Sequence, residues 1–205
     1  MKEKVKRVMQ INNSITVFSD IFLGGAVMIL CGAVGLAFYA TLQKVFKMLG
    51  RVYTGYLQKK YADRDLVWLA KVSVRCEALN GLVRALGMLV IPFSTVGILI
   101  VGVGHALYGL DRAFGKLYQE RVVDLISKDV TERMQFFGEL SYYTSIWDFV
   151  GMATNFAIFS AGYFLHANEL VLLHGVCFAY GILKIIDVAT SFIERRVVLK
   201  LLSQK

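Results

Sequence analysis

The sequence contains a single proline, Pro92, and strand-like alternation is absent from its apolar stretches. Alternation of that kind is typical of half-buried strands, so its absence favours helices. Cysteine is also scarce, since Cys31, Cys76 and Cys177 are widely spaced and form no C-x-x-C pair. An odd number of separated cysteines argues against a disulfide framework. The sequence therefore predicts an all-α protein without such a framework.

Recognisable catalytic and ligand-binding motifs are missing as well. The chain has no G-x-S-x-G element, no phosphate-binding glycine loop and no H-E-x-x-H metal motif. His166 and His174 could approach one another, but two histidines without nearby cysteines or paired carboxylates make a poor metal site. We therefore predict that the protein is not an enzyme and that it binds no metal or other cofactor.

Four long apolar stretches are what the sequence does contain, at 21–40, 86–110, 149–165 and 170–186. Hydrophobic residues make up 57% of the chain, whereas a soluble domain is usually about 45–50% apolar. Each stretch is close to the roughly 20 residues with which a helix crosses a bilayer. Unpaired backbone groups are not tolerated in lipid, so these stretches are predicted to be helices. The prediction is one polytopic membrane domain, 1–205, with about four transmembrane or membrane-embedded helices.

The chain is basic, with a formal net charge of +8. Because the Lys and Arg residues flank and join the apolar stretches, they favour anionic lipid headgroups as partners rather than nucleic acid. With four spans, both termini share the side that carries more Lys and Arg, and 42–80 lies on the opposite side. Alternatively, the first apolar stretch is re-entrant or interfacial, and 42–80 joins the N-terminus on the basic side.

The segment 42–80 is predicted to be interfacial, because it contains a basic amphipathic helix at 44–60. The residues predicted to insert into one leaflet are Val45, Phe46, Leu49, Val52, Tyr53 and Tyr56. The residues predicted to bind lipid headgroups are Lys44, Lys47, Arg51, Lys59 and Lys60. The alternative is that this helix packs against the membrane domain of its own chain.

Small residues in the apolar stretches indicate close helix packing. The glycines predicted to let backbones approach are Gly24, Gly25, Gly32, Gly35 and Gly175. General glycine enrichment in membrane helices would account for the first four equally well. Asn155 is predicted to make a hydrogen bond between helices.

The other predictions concern the order of the helices. Pro92 should kink the helix at 86–110, because proline has no N–H to donate. Residues 111–145 are predicted to form a polar helical connection. The short connection 166–169 should join the last two stretches as an antiparallel hairpin. Lys184 and Asp187, three residues apart on one helix, could form an ion pair.

Short motifs add a resemblance to a known family. Residues 2–10, KEKVKRVMQ, resemble the N-terminal element of the peroxin-eleven proteins, and 44–50, KVFKMLG, is similar to a second element. Val96-Gly97, Asp148 and Gly175 fall near further family positions. The resemblance implies an integral peroxisomal or glycosomal protein that inserts amphipathic helices, bends membranes and self-associates, without enzymatic activity.

The favoured hypothesis is a non-enzymatic protein that shapes or organises an organelle membrane as a homo-oligomer. A second hypothesis is an accessory subunit of a respiratory-chain or ATP-synthase complex in the mitochondrial inner membrane, where its basic segments would hold anionic lipid. A channel or transporter is a third, although the polar groups available to line a path are few. Asn155, Asp148 and Lys184 are the candidates.

Overall fold

The computed structural model describes residues 1–61, 64–127, 129–166 and 168–204. Within its helices, ten side chains lie outside this description: those of Ala33, Val34, Leu36, Phe38, Leu42, Gln43, Phe46, Lys47, Met152 and Phe159. The helices are α1 (Lys2–Tyr61), α2 (Leu66–Val90), α3 (Val96–Ile126), α4 (Val130–Phe164) and α5 (Glu169–Ser203). No strand occurs among the described residues. The predicted all-α class is confirmed.

α1 reverses direction at Gly32. This residue has φ 64° and ψ −166°, a left-handed conformation that glycine adopts without a Cβ clash. α1 therefore has a first arm at 2–31 and a second arm at 33–61. Val5 and Leu57, from opposite ends of α1, are buried in one core cluster, so the arms are antiparallel. The predicted boundary between a span ending at 40 and an interfacial helix is absent, because helix formers continue through that point.

A second reversal follows at Pro92. α2 ends at Val90 and α3 begins at Val96, with a turn between them in which Phe93 N donates to Val90 O at 2.9 Å. The helices are close here, since a Cβ added to Gly97 would lie 2.6 Å from Gly87 O. The prediction of one kinked helix over 86–110 is therefore wrong. Pro92 lies in the turn of a hairpin, where its missing N–H interrupts no helix.

α4 and α5 run antiparallel to one another, as predicted. This third hairpin is open, because α4 packs along α1 rather than along α5 and meets α5 beside the connection, where a Cβ added to Gly162 would lie 2.6 Å from a Leu172 methyl group. Asn168 caps α5 by accepting a hydrogen bond from Leu170 N at 2.9 Å. The predicted polar connection 111–145 is not one element. It is divided between the end of α3 and the start of α4, where Asp129 accepts from Thr131 N at 3.1 Å. That side-chain cap competes with continuation of the preceding helix.

The three hairpins place their turns together at one end of the bundle, which we call the turn end. A turn-end core cluster contains Leu23, Ala26, Met88, Leu173, Val176, Cys177 and Tyr180. At the opposite, terminal end, the core cluster includes Val5, Met9, Leu57, Leu69, Leu117, Val122, Phe136 and Val198. Leu57 and Leu69 thus lie beside the N-terminal arm. This arrangement agrees with the alternative in which the first apolar stretch turns back.

Three helical segments of the described chain are long and apolar enough to cross a membrane, and this is consistent with an integral membrane protein. They are Lys2–Gly32, Val96–Ile126 and Glu169–Ser203. The four predicted spans do not correspond to them one to one. The stretches 21–40 and 86–110 each contain a reversal, and 149–165 belongs mostly to α4, which is not among the three.

Candidate functional site

A layer of buried polar and charged side chains separates the two core clusters. On α2, for example, this layer occupies the turns between Leu69 of one cluster and Met88 of the other. Its fully or largely buried members are Asn12, Ser19, Ser73, Glu77, Asn80, Arg84, Lys184, Asp187, Ser191, Glu194 and Arg195. Charges in such a position are expensive unless they are paired, so their partners decide what the layer can do.

The first group of partners joins α1, α2 and α5. Arg84 Nη2 lies 2.9 Å from Asp20 Oδ1, and Lys184 Nζ lies 3.4 Å from the same oxygen. Lys184 Nζ also lies 2.7 Å from Asp187 Oδ2, which confirms the ion pair predicted within α5. Thr16 Oγ1 donates to Asp187 Oδ1 at 2.7 Å. Two cations therefore meet two carboxylates, and the group is electrically balanced.

The Arg84 side chain fits between α2 and α3 because α3 has a glycine, Gly104, at the point of contact. Gly104 on α3 lies so close that an added Cβ would be 3.1 Å from Arg84 N. The Arg84 guanidinium lies 5.7 Å from the ring centroids of both Tyr108 and Tyr180, a separation at which a cation is attracted to an aromatic face. The glycine and the two rings thus surround the Arg84 side chain.

The second group joins α2, α3 and α5. Arg195 pairs with Glu194 and lies 3.3 Å from Glu77 Oε2. Ser191 Oγ donates to Glu77, and Tyr118 OH donates to Glu194 Oε1 at 3.1 Å. Burial raises the pKa of Glu77 to about 7, although the positive charge of Arg195 acts in the opposite direction. The buried Glu77 carboxyl therefore holds a proton more readily than an exposed glutamate does.

Beside this layer lies a cavity of about 430 Å³. Asn80 Nδ2 donates to Asp111 Oδ2 at 2.9 Å, and Arg112 Nε donates to Tyr108 OH at 2.7 Å. Asp111, Arg112 and Tyr108 line the cavity. Among the described residues no group of three or more His, Cys, Asp or Glu side chains could hold a metal ion.

The predicted amphipathic segment lies on the second arm of α1 with its apolar side outward. The predicted inserting residues whose side chains are described are all exposed: Val45, Leu49, Val52, Tyr53 and Tyr56. The predicted headgroup ligands Lys44, Arg51, Lys59 and Lys60 are exposed as well. The side chains of Phe46 and Lys47 lie outside the described residues. Gly50, Thr54 and Leu57 are buried against the bundle instead, so the outward stripe does not pack on its own chain.

The predicted packing glycines have different environments. Asn155 Nδ2 donates to Ile21 O at 2.9 Å, and a Cβ on Gly25 would lie 2.5 Å from Asn155 Oδ1, so α1 and α4 are in close contact there. Gly24 is half-buried. A Cβ on Gly35 would clash with Cys31 of its own helix, because the chain bends between them.

Two of these glycines make no close helix contact. A Cβ on Gly175 would meet no heavy atom within 4 Å, because this position of α5 faces away from the bundle; Gly175 is not a packing residue within this chain. Gly32 also has nothing within 4 Å, and its role is the positive φ of the reversal.

Sequence reasoning missed the ion pairs between helices. Asp20 and Arg84 each stand at the edge of an apolar stretch, where interfacial water would account for them. Only the fold shows that Asp20, Arg84 and Lys184 meet. The available signal was that Asp20 and Arg84 are the last charged residues before two apolar stretches, and that Lys184 is the first charged residue after the charge-free segment 170–183.

The chain matches no protein-family model, no curated protein and no solved structure. The resemblance to the peroxin-eleven family therefore stays a prediction from short motifs. Any proposal for function rests on the residues and on the geometry described above.

Proposed function

We propose that the protein is a non-enzymatic integral membrane protein that shapes or organises an organelle membrane. The turn end of its three hairpins lies in the hydrocarbon, and the terminal end lies at the membrane surface. The distribution of charge along the bundle is the observation that carries this proposal.

The segments next to the three turns carry no ionised side chain. Asp, Glu, Lys and Arg are all absent from 21–43, 86–110, 149–168 and 170–183, and Glu169 is the one such residue at the turn end. Large apolar side chains point outward there: Phe93 is 81% exposed and Leu99 is 70% exposed. Large exposed apolar patches are rare on soluble monomers and mark contacts with a membrane or with another protein.

The length of the charge-free region supports entry from one side of the bilayer. The charge-free part of α4, 149–164, is about 24 Å long, and that of the first arm of α1, 21–31, is about 16 Å long, at 1.5 Å per residue. Both are shorter than a hydrocarbon core of about 30 Å. A bundle that fills one leaflet more than the other increases the area of that leaflet and favours curvature.

The second arm of α1 adds a further contact with lipid. Its exposed apolar stripe, with Val52 73% exposed, lies beside exposed Lys44, Lys59 and Lys60. Each basic residue near an anionic surface contributes about 1 kcal/mol of attraction. Anionic lipids are thus the proposed partners. The resemblance favours a peroxisomal or glycosomal membrane, with the mitochondrial inner membrane as the alternative.

Vesicle reconstitution tests this function. Purified full-length protein is added to phosphatidylcholine vesicles with and without phosphatidylserine, and binding is measured by flotation and shape by electron microscopy. We expect insertion into both and tubulation of the anionic vesicles. The variant Val52→Glu/Tyr56→Glu should still insert but lose tubulation, whereas the control Val67→Glu, on α2, should retain it. Wild-type protein that inserts and leaves vesicles round would contradict membrane shaping.

The same exposed surface would serve a protein that assembles with other subunits, and we propose self-association in preference to a larger complex. Native electrophoresis of the protein extracted from its own membrane distinguishes the two. Small homo-oligomers support self-association, and co-migration with catalytic subunits of a respiratory-chain or ATP-synthase complex contradicts it.

A further inference from the structure

The cavity beside the polar layer has the size of a small-molecule site. Its volume is about 430 Å³, and its walls include residues of all five helices. Small-molecule pockets usually have volumes of about 300–1,000 Å³. Glycine provides part of this space: a Cβ added to Gly115 would meet nothing nearer than Ser73 Oγ at 3.9 Å.

Most of the charges around the cavity are already paired. Of its five cationic residues, Lys184 is paired with Asp187 at 2.7 Å and Arg195 with Glu77 at 3.3 Å. A third, Lys116, lies 3.5 Å from Glu120. These pairs balance charge within the protein, so they do not call for a ligand.

The other two cations, Arg51 and Arg112, are different. In the part of the chain that the structure describes, neither has a carboxylate within ion-pair distance. Arg112 makes one hydrogen bond, from Nε to Tyr108 OH, so its two terminal nitrogens stay available. Gly50, which precedes Arg51, packs closely against α3. A Cβ added to Gly50 would lie 3.6 Å from Arg112 Cβ. Both arginines line the cavity, and both are also exposed to solvent.

Two further features describe the wall around this pair. Arg195 lines the same cavity and is 7% exposed, and its Nε has no hydrogen-bond partner among the described residues. The nearest opposing charge in sequence is Asp111, whose carboxylate accepts a hydrogen bond from Asn80. Neutral polar residues on the wall include Thr54, whose hydroxyl donates to Gly50 O, and Gln119, whose Nε2 donates to Asn13 Oδ1. The wall around the two arginines is therefore polar.

We propose that this cavity binds a phosphate group, held by the guanidinium groups of Arg51 and Arg112. Guanidinium presents a planar set of N–H donors that matches the oxygens of phosphate, and it stays charged at every physiological pH. The phosphate belongs either to a lipid headgroup or to a small phosphorylated solute. The inference is independent of membrane shaping, because binding can be measured in detergent without a bilayer.

Isothermal titration calorimetry of the full-length protein in non-ionic detergent tests the site. The two probes are inorganic phosphate and dihexanoyl phosphatidic acid, each at matched ionic strength. We expect saturable binding by the wild type, and Arg51→Gln/Arg112→Gln should lose about tenfold in affinity for each guanidinium removed. The matched control Arg75→Gln/Arg121→Gln removes two exposed arginines outside the cavity and should bind as the wild type does.

A second variant guards against a folding defect. Gly115→Leu places a side chain in the cavity and keeps both arginines in the sequence, and it should weaken binding by at least about tenfold while the circular dichroism spectrum is retained. If inorganic phosphate and phosphatidic acid compete for binding, the site accepts both a phosphorylated solute and a lipid headgroup. If phosphatidic acid alone binds, the site is a lipid site. Absence of binding to both probes, or equal affinity in the arginine double variant, overturns the proposal.

Discussion

The two ends of the bundle bury similar apolar clusters and present opposite surfaces. Leu23 and Met88 at the turn end are as fully enclosed as Val5 and Val122 at the terminal end. Outside, the turn end carries exposed aromatic and aliphatic side chains and Glu169 as its one ionised residue. The terminal end mixes exposed apolar residues such as Met134 with surface ion pairs such as Lys2–Glu132 at 2.6 Å. The interior of a helical bundle thus does not reveal which solvent surrounds it, and the surface does. The paired charges between the two clusters mark where one surface gives way to the other.

The largest expected effect comes from breaking the layer that separates the ends. Asp187→Ala leaves buried Lys184 with the more distant Asp20 carboxylate and the Ser19 hydroxyl, and loss of one partner of a buried pair typically costs about 3–5 kcal/mol. The free energy of unfolding in detergent measures it. The control is Asp124→Ala, which removes an exposed ion pair with Arg133 and should cost less than about 1 kcal/mol. Equal losses would mean that the layer is not a buried network.

A charge placed on each end tests the contrast between the surfaces directly. Leu99 at the turn end and Met134 at the terminal end are 70% and 72% exposed, so the two positions are matched. Leu99→Lys should weaken partition into vesicles by about 2.5–3.5 kcal/mol if this side chain meets hydrocarbon, and Met134→Lys should leave partition unchanged or improve it. Flotation assays give both numbers. Equal behaviour of the two variants would remove the proposed difference between the ends.

Alanine variants of two nearby glycines of α3, Gly102 and Gly104, distinguish the effect of helix packing on stability from the effect of helix propensity. Gly104→Ala forces a methyl group against the Arg84 backbone and should destabilise the fold by about 1–3 kcal/mol. Gly102→Ala meets nothing within 4 Å and should stabilise the helix by about 1 kcal/mol. Thermal unfolding of the two variants and the wild type gives the order. Destabilisation by Gly102→Ala would show that this open face is covered in the assembled protein.

The smallest effect concerns the helix caps, which are alike at the two ends. Asn168 caps α5 at the turn end, and Asp129 caps α4 at the terminal end. Replacement of a cap by alanine costs about 0.5–2 kcal/mol. In a bilayer, Asn168→Ala should fall near the top of that range and Asp129→Ala near the bottom, because water replaces the lost acceptor only at the terminal end. Hydrogen exchange in lipid nanodiscs measures both, and a larger loss at Asp129 would reverse the assignment of the ends.

The helices, the last hairpin and the Lys184–Asp187 pair could be predicted from the sequence, because each depends on residues close together in the chain. The reversal at Pro92 was missed, and the one at Gly32 was predicted only as an alternative, for a physical reason. A turn in water is marked by polar residues, but these turns are surrounded by apolar ones, so hydropathy joins two half-helices into one apparent span. The Asp20–Arg84 pair was missed because its members are brought together only by the packing of α1 on the rest of the bundle.

The common location of the three turns has a consequence for biogenesis. A conventional polytopic protein needs a translocation channel, since its hydrophilic loops are transported to the far side of the bilayer. Here both connections between the hairpins stay with the termini, and the leading edge of each hairpin is apolar, so that Glu169 is the only ionised group it carries. In the proposed orientation no hydrophilic loop of the described chain has to cross the bilayer, so the three hairpins can enter the membrane from one aqueous side.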